Sequence, residues 1–235
     1  LDKMQEEGSF ITDTDKCYYL YELTMDGRAQ TGLVACSSID DYANGVIKKH
    51  ENTRADKEVD RINHVDKCDA QTGPIFLAYR ANAVINEVIG KVKKEEAAYD
   101  FVSEDGVRHA VWKIGEAADI EAIQSEFDKI NQIYIADGHH RTAAAALVGN
   151  EKATQNPNHT GEEEYNFFLA VCFPASHLKI IDYNRVVKDL NGLSNEEFLA
   201  KREKDFIVEA KGKEIYAPAA LHNFSLYLNG QWYSL

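Results

Sequence analysis

Polar and apolar residues alternate from Lys16 to Thr24, the period of two expected of a half-buried strand, and Thr31 to Ile39 supplies a second strand. Asp26-Gly27 between them is a tight-turn pair, so the two runs predict a hairpin, preceded by a helix tail over Leu1 to Gly8. A helix starts at Asp40-Asp41, with Tyr42, Val46 and Ile47 forming its apolar face. Lys48 to Arg61 reads as a charged helix, in which Lys57 and Arg61 lie four apart on one face. After Gly73-Pro74, Ile75 to Tyr79 is a near-continuous apolar strand, and Ala81 to Lys93 a helix with Val84, Ile85, Val88 and Ile89 inward. Tyr99 to Val102 and Val107 to Ile114 make a second hairpin through Asp105-Gly106; its regular alternation puts His109 and Trp112 on opposite faces. Ala117 to Ile130 is an amphipathic helix.

The chain then reaches the stretch around which it is organised. Ile133 to Ala136 reads as a buried central strand, Asp137-Gly138 breaks it, and an alanine-rich helix closes at Gly149. Glu151 to Glu164 is polar and reads as a mobile loop. Tyr165 to Phe173 and Leu178 to Val187 read as strands, Asn195 to Arg202 as a helix, and Phe206 to Glu209, Glu214 to Ala217 and Phe224 to Leu228 as further strands. Asn229-Gly230 turns the last of these back into Gln231 to Leu235. Strands and helices mixed in this way predict an α+β protein with a mixed sheet and flanking helices.

Composition narrows the chemistry. Among 235 residues, 39 acidic side chains face 26 basic ones, a formal net charge of −13. Such a balance repels a polyanion unless a local patch overcomes it, and neither a patch nor a helix-turn-helix signature is present, so no nucleic-acid partner is expected. No apolar run is long enough to cross a bilayer and no leader pattern opens the sequence, so a cytoplasmic protein without a membrane partner is expected. The four cysteines are widely spaced, without a Cys-x-x-Cys pair, which favours small buried thiols over a zinc knuckle or disulfide framework. Leu1 is no initiator methionine, so a fragment of a longer chain is expected, and any site residues from the missing start would lie outside it.

The candidate chemistry sits where the strand aims two histidines and an arginine at one spot. A strand, a turn and a helix with Asp137 as cap and Gly138 at the bend are ordinary fold punctuation, and single histidines there are commonly just solvated. Three bulky ionisable groups at a positive helix end, however, oppose the local dipole, and a bound anion removes that conflict. The free N–H groups of the helix start, with Gly138 at the bend and the forked donors of Arg141, suit a phosphate. His50-Glu51 lacks the second histidine of a zinc protease, because position 54 is Arg. Adjacent His139 and His140 diverge by about 100° on a helix, so a shared metal ion there is disfavoured.

Ala136-Asp137-Gly138-His139-His140-Arg141 is preceded in order by Asp40-Asp41-Tyr42, Lys49-His50-Glu51-Asn52-Thr53, Lys57-Glu58-Val59-Asp60-Arg61 and Ala70-Gln71-Thr72-Gly73-Pro74. Together these stretches resemble the bacterial and archaeal family catalogued as domain of unknown function ten-fifteen. The turn is also similar to the phosphate-binding turn of the ParB and sulfiredoxin-like superfamily, which includes partition-protein CTPases, sulfiredoxin and a free-serine kinase with a Gly-His-His-Arg turn. The resemblance implies a ParB/sulfiredoxin-like core over residues 1–150, with a β-rich extension packed on it over 151–235.

The expected function is phosphoryl transfer or phosphate-ester hydrolysis on a small phosphorylated ligand such as ATP, ADP or CTP. Gly138, His139, His140, Arg141 and Thr142 would hold the phosphate, with Lys57 and Arg61 completing the positive lining. Glu51, Asp137 and His140 are the expected catalytic groups, Glu51 as base and Asp137 as helix cap or Mg²⁺ ligand. The alternatives are a free-amino-acid kinase of the serine type, and a binding switch that forms a homodimer when a nucleotide binds.

Overall fold

The computed structural model describes residues 2–235, which divide into two compact units between Lys179 and Ile180. The first unit opens with helix α1 (Asp2–Glu6) and the expected hairpin, β1 (Tyr18–Met25) against β2 (Arg28–Ser38), turning at Asp26 and Gly27. Helix α2 (Ile39–Ala43) begins where Ser38 Oγ accepts the Asp40 N–H. It is shorter than its apolar pattern predicts: Asn44-Gly45 ends it, and Ile47 belongs to strand β3 (Ile47–Lys48). The charged helix also begins later than read, as α3 (Ala55–Cys68), leaving residues 49–54 as irregular backbone.

Strand β4 (Ile75–Tyr79) buries Ile75, Leu77 and Tyr79 on one face. Asn82 caps helix α4 (Ala83–Val92), whose Ile85, Val88, Ile89 and Val92 point inward; Val84, expected inward, is exposed, because it lies in the first turn at the edge of the stripe those four residues define. Strands β5 (Tyr99–Val102) and β6 (Arg108–Ile114) form the second hairpin, with Trp112 buried and His109 hydrogen-bonded to the Tyr21 hydroxyl at 2.7 Å. Helix α5 (Ala117–Phe127) leads to β7 (Ile133–Asp137), then α6 (His139–Gln155), and β8 (Phe167–Pro174) completes the sheet.

Eight strands form one mixed sheet in the order β3-β7-β4-β8-β2-β1-β6-β5. The β3–β7 and β4–β8 pairs are parallel and the others antiparallel. The strand before the Asp-Gly turn is therefore next to the edge and not central, and of its residues only Ile135 is buried. The centre belongs to β8 and β2, whose apolar residues form the core with Leu20, Ile75, Leu77 and Ile135. This changes the expected division of the chain: β8 lies beyond residue 150 yet pairs with both β2 and β4, so the first unit runs on to Lys179.

Helix α6 packs over β4 and β8, with α2 and α3 against it. Ala143 to Ala146 and Val148 are all buried, so small side chains allow the close approach. The helix does not stop at Gly149. A Cβ there would stand 2.4 Å from the Tyr165 carbonyl oxygen and 2.7 Å from Ile39 Cδ1, so this glycine is demanded by packing rather than by a helix end. The expected loop shrinks to residues 156–163 and is tied by one side chain. The Glu163 carboxylate accepts from the Thr160 N–H (2.8 Å), the Thr160 hydroxyl (2.9 Å), the Gly161 N–H (2.9 Å) and Asn166 Nδ2 (3.1 Å).

Desolvation opposes the charge on Glu163, but these donors outweigh it and hold the carboxyl at about 2. A folded value below the unfolded one gives stability that is present above about pH 4.3 and is lost as pH falls toward the folded value. Glu163→Gln is accordingly expected to speed amide exchange of Thr160 and Gly161 at neutral pH, while β8 stays protected. Unchanged exchange at both amides would remove Glu163 as the tie.

The second unit, Ile180–Leu235, holds helix α7 (Asn195–Arg202) and an antiparallel sheet of β9 (Glu209–Gly212), β10 (Ser225–Leu228) and β11 (Gln231–Ser234), in the order β10-β11-β9. Ser194 and Glu197 form a capping box at the start of α7. Two expected strands are missing, and a third, Phe206 to Glu209, is displaced so that only Glu209 lies in β9. Leu178 to Val187 and Glu214 to Ala217 have strand-like side chains but pair with no neighbouring strand, and Ile180, Ile181, Tyr183, Val186, Val187 and Ile215 are exposed. Among the described residues no helix is long and apolar enough to cross a membrane.

Candidate functional site

The Asp-Gly turn joins β7 to α6 and fixes where its side chains go. Gly138, not Asp137, is the N-cap of α6, with φ of 100°, a left-handed value that disfavours any side chain. The Thr142 N–H and hydroxyl both return to the Gly138 carbonyl, at 2.9 and 3.1 Å. Thr142 is fully buried and so is withdrawn from the phosphate-binding role expected of it. The N–H groups of His139, His140 and Arg141 have no partner inside the helix.

The two histidines diverge, as a helix requires. His139 is buried, and its Nε2 lies 3.5 Å from the His50 N–H; His140 Nε2 accepts the Arg54 N–H at 3.1 Å. Both imidazoles thus fasten residues 50–54 over the start of α6, where sequence reasoning had them on phosphate oxygens. Burial favours the neutral form of His139, and the neighbouring His50 adds to that. The His50 and His139 rings meet edge to face, 4.4 Å between centroids.

Arg141 lies over the glycine turn. A Cβ on Gly138 would stand 3.0 Å from one of its terminal nitrogens, and one on Gly73 would stand 3.6 Å from another. Its ion pair is with Asp137 Oδ2 at 2.9 Å, while its Nε is buried without a hydrogen-bond partner. Such an orphan donor costs free energy unless something accepts from it.

Glu51, Arg61, Asp137, Gly138, His139, His140 and Arg141 line one open cleft of about 180 Å³. A smaller recess of about 90 Å³ adjoins it, sharing Arg61 and Arg141 and adding His64, Thr72 and Gly73. His64 Nε2 and Thr72 Oγ1 are 2.8 Å apart at its rim. Of the expected residues, Glu51, Arg61 and the Asp-Gly-His-His-Arg turn therefore converge. Lys57 does not line the cleft; it lies one turn before Arg61 on exposed α3. The Mg²⁺ expected at Asp137 does not fit well there, since its carboxylate already pairs with Arg141 and it stands outside the cluster of metal-ligating groups found among the described residues.

That cluster is His50, Glu51 and His139, and sequence reasoning missed it as a unit because His139 lies 88 residues beyond Glu51. A larger cavity, about 450 Å³, lies elsewhere, between β2, α2 and α5. It is lined by Leu33, Ile47, Ile123 and Phe127 with Asp41 and Asp128, and no Lys, Arg or His reaches it. Size notwithstanding, it lacks the groups for anion chemistry, and the smaller cleft is the better site. The Asp40-Asp41-Tyr42 stretch belongs to that other region.

No curated protein and no solved structure matches the chain. The family model described as protein of unknown function DUF1015 matches residues 1–235, and the chain therefore belongs to that family.

Proposed function

We propose that the cleft at the head of α6 binds the phosphate of a small ligand, a nucleotide or another phosphorylated compound, and supports phosphoryl transfer or phosphate-ester hydrolysis. The observation that carries this reading is the unpartnered Nε of Arg141, beside Arg61 and the free N–H groups of a helix start. Transfer of a phosphoryl group requires mainly positioning and charge stabilisation, which such a set of donors supplies. Glu51 brings a carboxylate to the same cleft, where it would serve as base or ligand. His140 keeps one ring nitrogen free after accepting from Arg54. Asp137 orients Arg141, so its role is positioning.

The Gly-His-His-Arg turn is the ground for the proposed kinship with ParB and sulfiredoxin-like cores, and with it for a cytoplasmic nucleotide enzyme or a free-amino-acid kinase of the serine type. A second reading, a switch whose nucleotide occupancy drives homodimerisation without turnover, is favoured by α3. This helix brings Arg61 to the cleft yet buries no residue fully, so a ligand there would meet an element with an exposed face for a partner.

Titration of the full chain with ATP, ADP, CTP and phosphoserine, with and without Mg²⁺, tests the reading. Saturable binding of one or more is expected. A kinase then releases ADP or AMP only with an amino-acid acceptor, a hydrolase releases phosphate without one, and a switch dimerises in light scattering with negligible product. A folded sample that binds none of the four ligands refutes the proposal.

A further inference from the structure

We infer that His50, Glu51 and His139 bind one divalent transition-metal ion, with zinc the best match, its open coordination positions facing the cleft. One ring nitrogen of each histidine and one Glu51 oxygen all lie within 4.8 Å of one another. Two imidazoles and a carboxylate are a donor set of hydrolytic zinc sites, where a fourth position is left for water or substrate. Hard ions such as Mg²⁺ prefer oxygen ligands throughout, so this set selects a softer ion.

The geometry needs only a small closure. Ligands on a tetrahedral ion with bonds of roughly 2.0–2.1 Å stand about 3.3 Å apart, so no pair here must approach by more than about 1.5 Å. The structure divides the task suitably. His139 is buried at the start of α6, whereas His50 and Glu51 are exposed on irregular backbone that can come to it. Packing alone gives no reason for this arrangement: the two imidazoles meet only edge to face, and an exposed carboxylate beside them does not fill the core. An ion would accept the lone pairs of both rings and neutralise the carboxylate.

Glu51 then serves as a ligand, and its role as free base lapses. A cation at this wall would polarise a phosphate oxygen opposite Arg141, and that consequence rests on the function proposed above. The ion site itself does not.

The test uses the full chain, stripped with a chelator and titrated with Co²⁺ and then Zn²⁺ in phosphate-free buffer. The expected result is one Co²⁺ per chain with visible d–d absorption, displaced by Zn²⁺. His50→Ala and Glu51→Gln should each weaken binding at least about tenfold, the scale on which even outer-shell partners matter. Both positions are exposed, so their substitution spares the core, and circular dichroism verifies the fold. His159→Ala, a histidine outside the cluster, should bind as the parent does. Absence of stoichiometric binding by the folded parent, or equal affinity in His50→Ala and Glu51→Gln, overturns the site. A chain that takes up the ion but not inorganic phosphate upholds the site and refutes the phosphate reading.

Discussion

Replacing Gly149 by alanine is expected to destabilise the first unit by about 3 kcal/mol, the upper part of the range for overpacking a well-filled interior. Propensity alone predicts the opposite sign, because alanine in a helix interior is worth roughly 0.5–1 kcal/mol over glycine. Contact decides it: the new Cβ would meet the Tyr165 carbonyl oxygen at 2.4 Å, and a backbone atom held at the start of β8 cannot swing away as a side-chain tip can. Gly90 in α4 is the internal control, with nothing within 4 Å of its added Cβ, and Gly90→Ala should be stabilising by roughly 0.5–1 kcal/mol. Urea unfolding reads both, as shifts in midpoint at constant slope. A Gly149→Ala protein as stable as its parent would show that α6 does not pack on residues 164–166 as closely as described.

Arg141→Ala is expected to weaken phosphate binding by about 2 kcal/mol, roughly 30-fold, the scale of a charge-assisted hydrogen bond. The loss has two sources. A forked donor with an unused Nε disappears, and Asp137 is left unpaired at the mouth of the cleft to repel an anion. Arg141→Lys should recover only part of the affinity, because an ammonium restores charge without the planar fork. Since the arginine side chain is about one-third exposed, neither variant should unfold the protein. Equal phosphate affinity in the alanine variant would take Arg141 out of the site.

What the sequence disclosed follows from how local each signal is. The hairpin of β1 and β2 was legible because Asp26-Gly27 and the strand-like runs on either side are adjacent in the chain, and α4 because its inward residues recur at three-four spacing. The Asp-Gly-His-His-Arg turn was legible for the same reason. Residues 49–54 were misread as helix because Arg54, the N-cap of α3, makes no side-chain capping bond, leaving no start signal. Gly149 was misread as a stop since its reason for being glycine lies in Tyr165 and Ile39. Thr142, expected on a ligand, bonds back to Gly138, a choice that only the folded turn reveals. The association of His50 with His139 and of Arg54 with His140 is invisible to any local pattern, and it sets each imidazole against the segment above the cleft. Strand-like composition at Leu178 to Val187 misled for the converse reason: alternation describes a chain fit for a sheet and supplies no neighbour to pair with.

The most direct test is to follow the backbone amides of His139, His140 and Arg141, together with Arg141 Nε–H, by nitrogen-resolved NMR while inorganic phosphate is added at constant ionic strength. Anion capture at the head of α6 predicts saturable shifts at these four signals with one common dissociation constant. Signals that stay put while phosphate perturbs other residues, or none, would contradict it.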